Sequence, residues 1–139
     1  MPASSHSLSS AQMRVFIVDN DTKTLDVLKR CLETMGHQVM TAENMEGALH
    51  GIYESDFDVL MSDIGLPDGN GWDLLRQTQK RKPFYAIAMS GYGSPADIRA
   101  SAAVGYRDHL VKPLTREKLQ DALQKARAET VTCGPTEDQ

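Results

Sequence analysis

The stretch Phe57-Asp58-Val59-Leu60-Met61-Ser62-Asp63-Ile64-Gly65-Leu66-Pro67-Asp68-Gly69-Asn70-Gly71 decides the fold. An apolar run of strand length ends in a carboxylate, and a Gly/Pro loop follows at once. Working outward, the pattern recurs. Val15-Phe16-Ile17-Val18 ends in Asp19-Asn20-Asp21, Ala86-Ile87-Ala88-Met89 ends in Ser90, and Leu110-Val111 ends in Lys112-Pro113. Four strand-like runs thus each deliver a polar group at the carboxyl end. In an open parallel α/β sheet those ends lie along one edge, where ligands bind. Acids, a hydroxyl and an ammonium meeting there describe a site for a divalent cation and a phosphoryl group.

Between these runs the sequence reads as helices. Leu25, Leu28, Leu32 and Met35 recur at helical spacing over Thr22–Met35, and Gly36 is a stop signal. A short strand is expected at Gln38–Thr41 and a helix over Met45–Glu54, weakened by Gly47 and Gly51. Trp72–Lys80 reads as a helix bounded by Pro83, with Trp72 expected to cover the sheet edge. Pro95–Ala103 is a helix with Pro in its first turn. Thr115–Ala128 is the last helix, with Thr115 as N-cap and Lys118 where a capping-box acid would stand. Strict alternation implies a doubly wound α/β domain, a five-stranded parallel sheet with helices on both faces. Right-handed crossovers leave few topologies; in the order 2-1-3-4-5, which the family resemblance described below implies, Asp19 and Asp63 would face one another at the switch point. The folded unit is expected over residues 13–128, between flexible tails at 1–12 and 129–139.

Composition narrows the function. The chain has 139 residues, 40% apolar and 24% charged, which suits one globular domain with a real core. Its net charge of −4 argues against nucleic acid as a partner. No apolar run is long enough to span a bilayer, and the Ser-rich start lacks the basic and apolar regions of a signal peptide, so no membrane contact is expected. Cys31 in a helical pattern and Cys133 in a polar tail make no disulfide framework, and a cytoplasmic setting follows. His6, His37 and His50 show no metal-ligand spacing, and the methionines read as core filler.

Val-Asp-Asn-Asp, Ser-Asp-Ile-Gly-Leu-Pro-Asp-Gly-Asn-Gly, Met-Ser-Gly and Val-Lys-Pro, each after an apolar run and in this order, resemble the response-regulator receiver domain of two-component signalling. The resemblance covers residues 14–127 and implies the flavodoxin-like fold of the chemotaxis regulators. It implies that Asp63 is the phosphoacceptor, charged by a histidine kinase or a histidine phosphotransfer domain. It implies that Asp19, Asn20, the Asp63 carboxylate and the Gly65 backbone carbonyl hold Mg²⁺, with Asp21 reaching it through a water. Lys112 and Ser90 would bind the phosphoryl oxygens. His109 would stand at the position of the family's aromatic switch, Gly65 and Tyr92 would tune the lifetime of the phosphate, and Lys112–Pro113 would be a candidate cis bond. The docking face would combine Thr24, Leu25 and Leu28 with Leu66-Pro67 and Pro113-Leu114. A downstream protein partner follows, with no DNA-binding output domain within this length. Beyond slow self-catalysed phosphorylation and dephosphorylation, no enzyme activity is implied. The chain is expected to be a stand-alone regulator or the receiver of a hybrid kinase.

Three departures stand out. Asn20 replaces the usual second acid, Ser90 the commoner Thr, and His109 the usual Tyr or Phe. Two other readings compete. Asp19-Asn20-Asp21-Thr22 also resembles the opening motif of haloacid-dehalogenase-type phosphatases, with Asp19 as nucleophile and Asp21 as general acid. That reading leaves Asp63 unexplained, and no strand-borne acid follows Lys112. A receiver fold that no longer accepts phosphate rests on Asn20 alone.

Overall fold

The computed structural model describes residues 12–78 and 84–137, with 130–137 described by backbone alone. In chain order the elements are β1 (Arg14–Val18), α1 (Thr22–Thr34), β2 (Gln38–Ala42), α2 (Met45–Glu54), β3 (Val59–Asp63), the two-residue strands β4 (Gly65–Leu66) and β5 (Gly69–Asn70), α3 (Gly71–Thr78), β6 (Tyr85–Ser90), α4 (Pro95–Val104), β7 (Asp108–Val111) and α5 (Arg116–Glu137). The main sheet has the order β2-β1-β3-β6-β7 with every pair parallel. The expected order 2-1-3-4-5 is therefore met by the main-sheet strands. The antiparallel β4–β5 hairpin was not anticipated and stands apart.

Side-chain alternation splits the core in two. Val15, Ile17, Val59, Met61, Ile87 and Met89 face α1 and α5, where Leu25, Leu28, Leu32, Leu119 and Leu123 meet them. Phe16, Val18, Leu60, Ala86 and Ala88 face the other way, onto Met45, Ala48, Ile52, Leu74 and Leu75 of α2 and α3. The three central strands β1, β3 and β6 are thus covered on both sides, as their apolar runs require.

Local chemistry sets the element ends. Asp21 caps α1 by accepting from the Lys23 amide, and Asn44 caps α2 by accepting from Gly47. Ser94 caps α4 by accepting from Asp97, with Pro95 opening the helix. The Thr115 hydroxyl accepts from the Lys118 amide at 3.1 Å. Lys118 does more than miss a capping box: its ammonium donates to the Val111 and Pro113 carbonyls at 2.9 and 3.2 Å, tying α5 to the loop that carries Lys112. Gly51 has a packing reason, since a Cβ there would come within 2.6 Å of the Phe16 ring. The small residue lets α2 lie close on β1.

Two expectations need adjustment. Helix α5 runs to Glu137, past the end expected at Ala128. The Ala126-Arg127-Ala128-Glu129 run favours helix, and the Arg107–Glu129 ion pair fastens it to the turn before β7. Trp72 does not cover a sheet edge: it packs between α3 and α4, partly buried against the second core face. The N-terminal tail up to residue 11, the end of the third helix at Lys80 and its Pro83 boundary lie outside the described residues, as do His6 and the Cys133 side chain.

Candidate functional site

Four strand ends converge as the sequence required. Asp19 follows β1 and is fully buried, Asp63 ends β3 at 8% exposure, Ser90 ends β6, and Lys112 follows β7. The Lys112 amide donates to the Ser90 carbonyl at 2.7 Å, which fixes the last two ends together. The Lys112–Pro113 peptide is cis.

The Lys112 ammonium lies between two carboxylates, 2.6 Å from Asp19 Oδ2 and 3.1 Å from Asp63 Oδ2. Burial, and then the Asp19 charge, push Asp63 up to about 6 against the pull of Lys112. Burial alone would lower Lys112, but the hydrogen bonds and charges of the two acids outweigh it and hold the ammonium above its usual value. Two acids share one ammonium here, which leaves one negative charge without a counter-charge. Hard oxygen donors with surplus negative charge fit a divalent cation of the magnesium class, which keeps several waters. Asp19, Asp63, the Gly65 carbonyl and the exposed Asn20 amide are the groups on this edge that could hold it. Among the described residues no set of three or more His, Cys, Asp or Glu side chains is grouped as a metal site. Side-chain charge would therefore come from two acids only.

Asp21 is otherwise engaged. Its carboxylate accepts from the Lys23 amide at 3.2 Å and the Thr24 hydroxyl at 2.8 Å, and its own amide donates to Asp19 Oδ1 at 2.9 Å. The Thr24 bond leads the causes that hold its pKa below the ordinary value. A carboxylate committed to a helix cap is poorly placed to act as a general acid. The Gly65 position is exposed, and the Tyr92 side chain is 78% exposed.

His109 lies within reach of Ser90. Its Nε2 is 2.8 Å from Ser90 Oγ, and its Nδ1 is 3.1 Å from Ser101 Oγ on α4. Ser101 also accepts from the Trp72 indole at 2.9 Å. Burial lowers the His109 pKa, with Asp97 and Asp108 pulling the other way.

Sequence reasoning missed the groups that hold the loop after Asp63. Asp68 accepts from the Met45 and Glu46 amides at 2.7 and 3.0 Å, so the β4–β5 hairpin is latched to the start of α2. The buried Tyr106 hydroxyl donates to the Gly71 carbonyl at 2.6 Å. Gly71 itself must lack a side chain, because a Cβ would meet the Asp63 carbonyl oxygen at 2.5 Å. Pro67-Asp68-Gly69 reads only as a turn, and nothing local marks its partner.

The expected docking face is partly corrected. Leu25 and Leu28 are buried, at 6% and 2%, because the Leu25, Leu28, Leu32 stripe of α1 faces the sheet. Beside Lys112 a groove of about 530 Å³ is lined by Thr24, Leu28, Pro113 and Leu114 of the expected face together with Lys23, Val27 and Gly91, with Val27 64% exposed. Leu66 and Pro67 are not among its lining residues.

Comparison with known proteins identifies the family. The sensory/regulatory protein RpfC of Xanthomonas campestris is 31% identical over 123 residues, 85% of this chain but 17% of that protein, so the chain spans a small part of that relative. An uncharacterized 14.6 kDa protein of Leptolyngbya boryana is 34% identical over 107 residues, 75% of this chain and 82% of that one. The crystal structure of a CheY-like response regulator receiver domain protein from Methanospirillum hungatei superposes with a TM-score of 0.75 at 32% identity, covering 84% of this chain and 97% of that chain. Among the described residues no helix is long and apolar enough to cross a membrane. The response regulator receiver domain model matches residues 15–124, and the chain belongs to that family of two-component signalling domains.

Proposed function

We propose that this receiver domain accepts a phosphoryl group on Asp63 from a phosphohistidine of a histidine kinase or histidine phosphotransfer domain. The observation that carries the reading is the Lys112 ammonium set between Asp19 and Asp63, with Ser90 on the adjoining strand end. An Asp63 oxygen attacks phosphorus in line; the P–O bond forms as the P–N bond to the donor imidazole breaks, and the nitrogen leaves with the electron pair. Lys112 is a point charge for the phosphoryl oxygens, and the Ser90 hydroxyl is a donor to another. Mg²⁺ held by Asp19, Asp63, the Gly65 carbonyl and Asn20 would supply further neutralisation of those oxygens. Asp19 meanwhile keeps Lys112 in place through their short ion pair. The groove lined by Lys23, Val27 and Leu114 is the face that receives the donor, because it opens beside Lys112. Gly65 and Tyr92, both exposed next to the site, stand where water reaches the acyl phosphate and so set its lifetime.

Acetyl phosphate with Mg²⁺ tests the reading by intact-protein mass spectrometry. Wild type and Asp58→Asn gain one phosphoryl group, since Asp58 is spent on Arg14 at the far end of the strands. Asp63→Asn gains none. Turnover of a phosphomonoester by wild type, retained in Asp63→Asn, would instead support the phosphatase reading through Asp19.

A further inference from the structure

The hydrogen bonds around His109 have one consistent direction. The Trp72 indole can only donate, so Ser101 Oγ accepts from it. Ser101 is 1% exposed and has one proton, which goes to His109 Nδ1, 3.1 Å away. The ring proton is then on Nε2 and is donated to Ser90 Oγ at 2.8 Å. Ser90 in turn donates its own proton to the Tyr92 carbonyl at 3.1 Å. The opposite tautomer fails this accounting. With the proton on Nδ1, the single Ser90 proton would have to serve both His109 Nε2 and the Tyr92 carbonyl, and the buried Ser101 proton would lose its acceptor. A buried hydroxyl proton without an acceptor costs the full desolvation of that group.

The tautomer matters for what Ser90 can give. While Nε2–H donates to Ser90, the hydroxyl oxygen is held as an acceptor and its proton is free to swing from the Tyr92 carbonyl to an incoming anion. In the other tautomer the Nε2 lone pair takes that proton. Which ring nitrogen carries the proton is set by the partner of the other nitrogen, and here that partner is Ser101 on a different helix.

We propose that Ser101, backed by Trp72, is a positioning residue for the Ser90 hydroxyl and acts through His109, keeping Ser90 available as a donor to the phosphoryl group on Asp63. This rests on the phosphoacceptor reading of the same site. The link runs from β6 through β7 to Ser101 on α4, where the Trp72 indole of α3 donates to its last member.

The test reads the tautomer and phosphoryl recognition separately on the full chain. Long-range proton–nitrogen correlation on the imidazoles, assigned with His109→Gln, gives the tautomer before any ligand is added. Beryllofluoride with Mg²⁺, a phosphoryl mimic, gives the affinity. Wild type shows the Nε2–H form. Ser101→Ala populates both tautomers and binds beryllofluoride about tenfold more weakly, the worth of one hydrogen bond to a charged acceptor. Trp72→Phe, which leaves the Ser101 hydroxyl in place, keeps the wild-type tautomer. Should Ser101→Ala fail to fold, Ser101→Cys replaces it, with a partial shift expected from the weak thiol donor. An Nδ1–H ring in wild type overturns the proposal. So does weaker binding in Ser101→Ala with an unchanged tautomer, or a changed tautomer with unchanged binding. If wild type binds no beryllofluoride and gains no mass from acetyl phosphate, the phosphoacceptor reading fails, and the role given to Ser101 fails with it.

Discussion

Asn20 sits beside the buried Asp19 as an exposed amide, where the family usually carries a second acid. An amide oxygen can ligate Mg²⁺ without adding charge, so the cation faces two carboxylates already shared with Lys112. Asn20→Asp should tighten Mg²⁺ about tenfold, on the order of 1.4 kcal/mol, and calorimetric titration checks it. Equal affinities would remove Asn20 from the metal site. His109 is the second departure. Burial holds its pKa below the ordinary value in the folded chain, with Asp97 and Asp108 as the charged groups opposing that. The neutral ring and the bond that its Nδ1 accepts from Ser101 are therefore complete above the reference pKa of about 6.5. They are lost as pH falls through the lower folded value. The Trp72 indole N–H resonance should move as pH drops below about 6.5 in wild type and stay fixed in His109→Gln. His37 is lowered by burial too, and its Nδ1 accepts from the Met13 amide. A local resonance, rather than global stability, is therefore the proper readout.

Helix α2 shows where a sequence pattern carries less than the packing does. Gly47 and Gly51 look like flaws in a helix, yet Gly51 is where α2 rests on the Phe16 ring. Gly51→Ala should gain helix propensity and still destabilise the protein by about 1–3 kcal/mol through overpacking, measured by denaturant unfolding. A stabilised variant would show that the Phe16 ring yields. The strand ends were legible because each is an apolar run closed by one polar residue, and that pattern is local. Asp19, Asp63, Ser90 and Lys112 all come to one edge for this reason. The partners of His109 were not legible, since Ser101 and Trp72 lie on other helices and no spacing joins them. Leu25 misled for a related cause. It was expected on the docking face with Thr24 and Leu28, but the stripe it shares with Leu28 and Leu32 turns it to the sheet.

Taken together, the two-sided core leaves one edge of the sheet to carry the acids, the hydroxyl and the ammonium, and the groove beside it opens onto Val27. A donor that docks there must bury this exposed valine. Val27→Asp should slow phosphotransfer from a histidine phosphotransfer domain about tenfold or more while leaving modification by acetyl phosphate unchanged. Equal slowing with both donors would place the defect in the site and not in docking. The central claim is that Asp63 carries the phosphoryl group, and borohydride trapping reads it most directly. Borohydride reduces an aspartyl phosphate to homoserine, so peptide mass spectrometry after acetyl phosphate, Mg²⁺ and borohydride marks the acceptor. The account predicts homoserine at residue 63 and unmodified Asp at residues 19, 21 and 58. Homoserine at residue 19 with residue 63 untouched would contradict it.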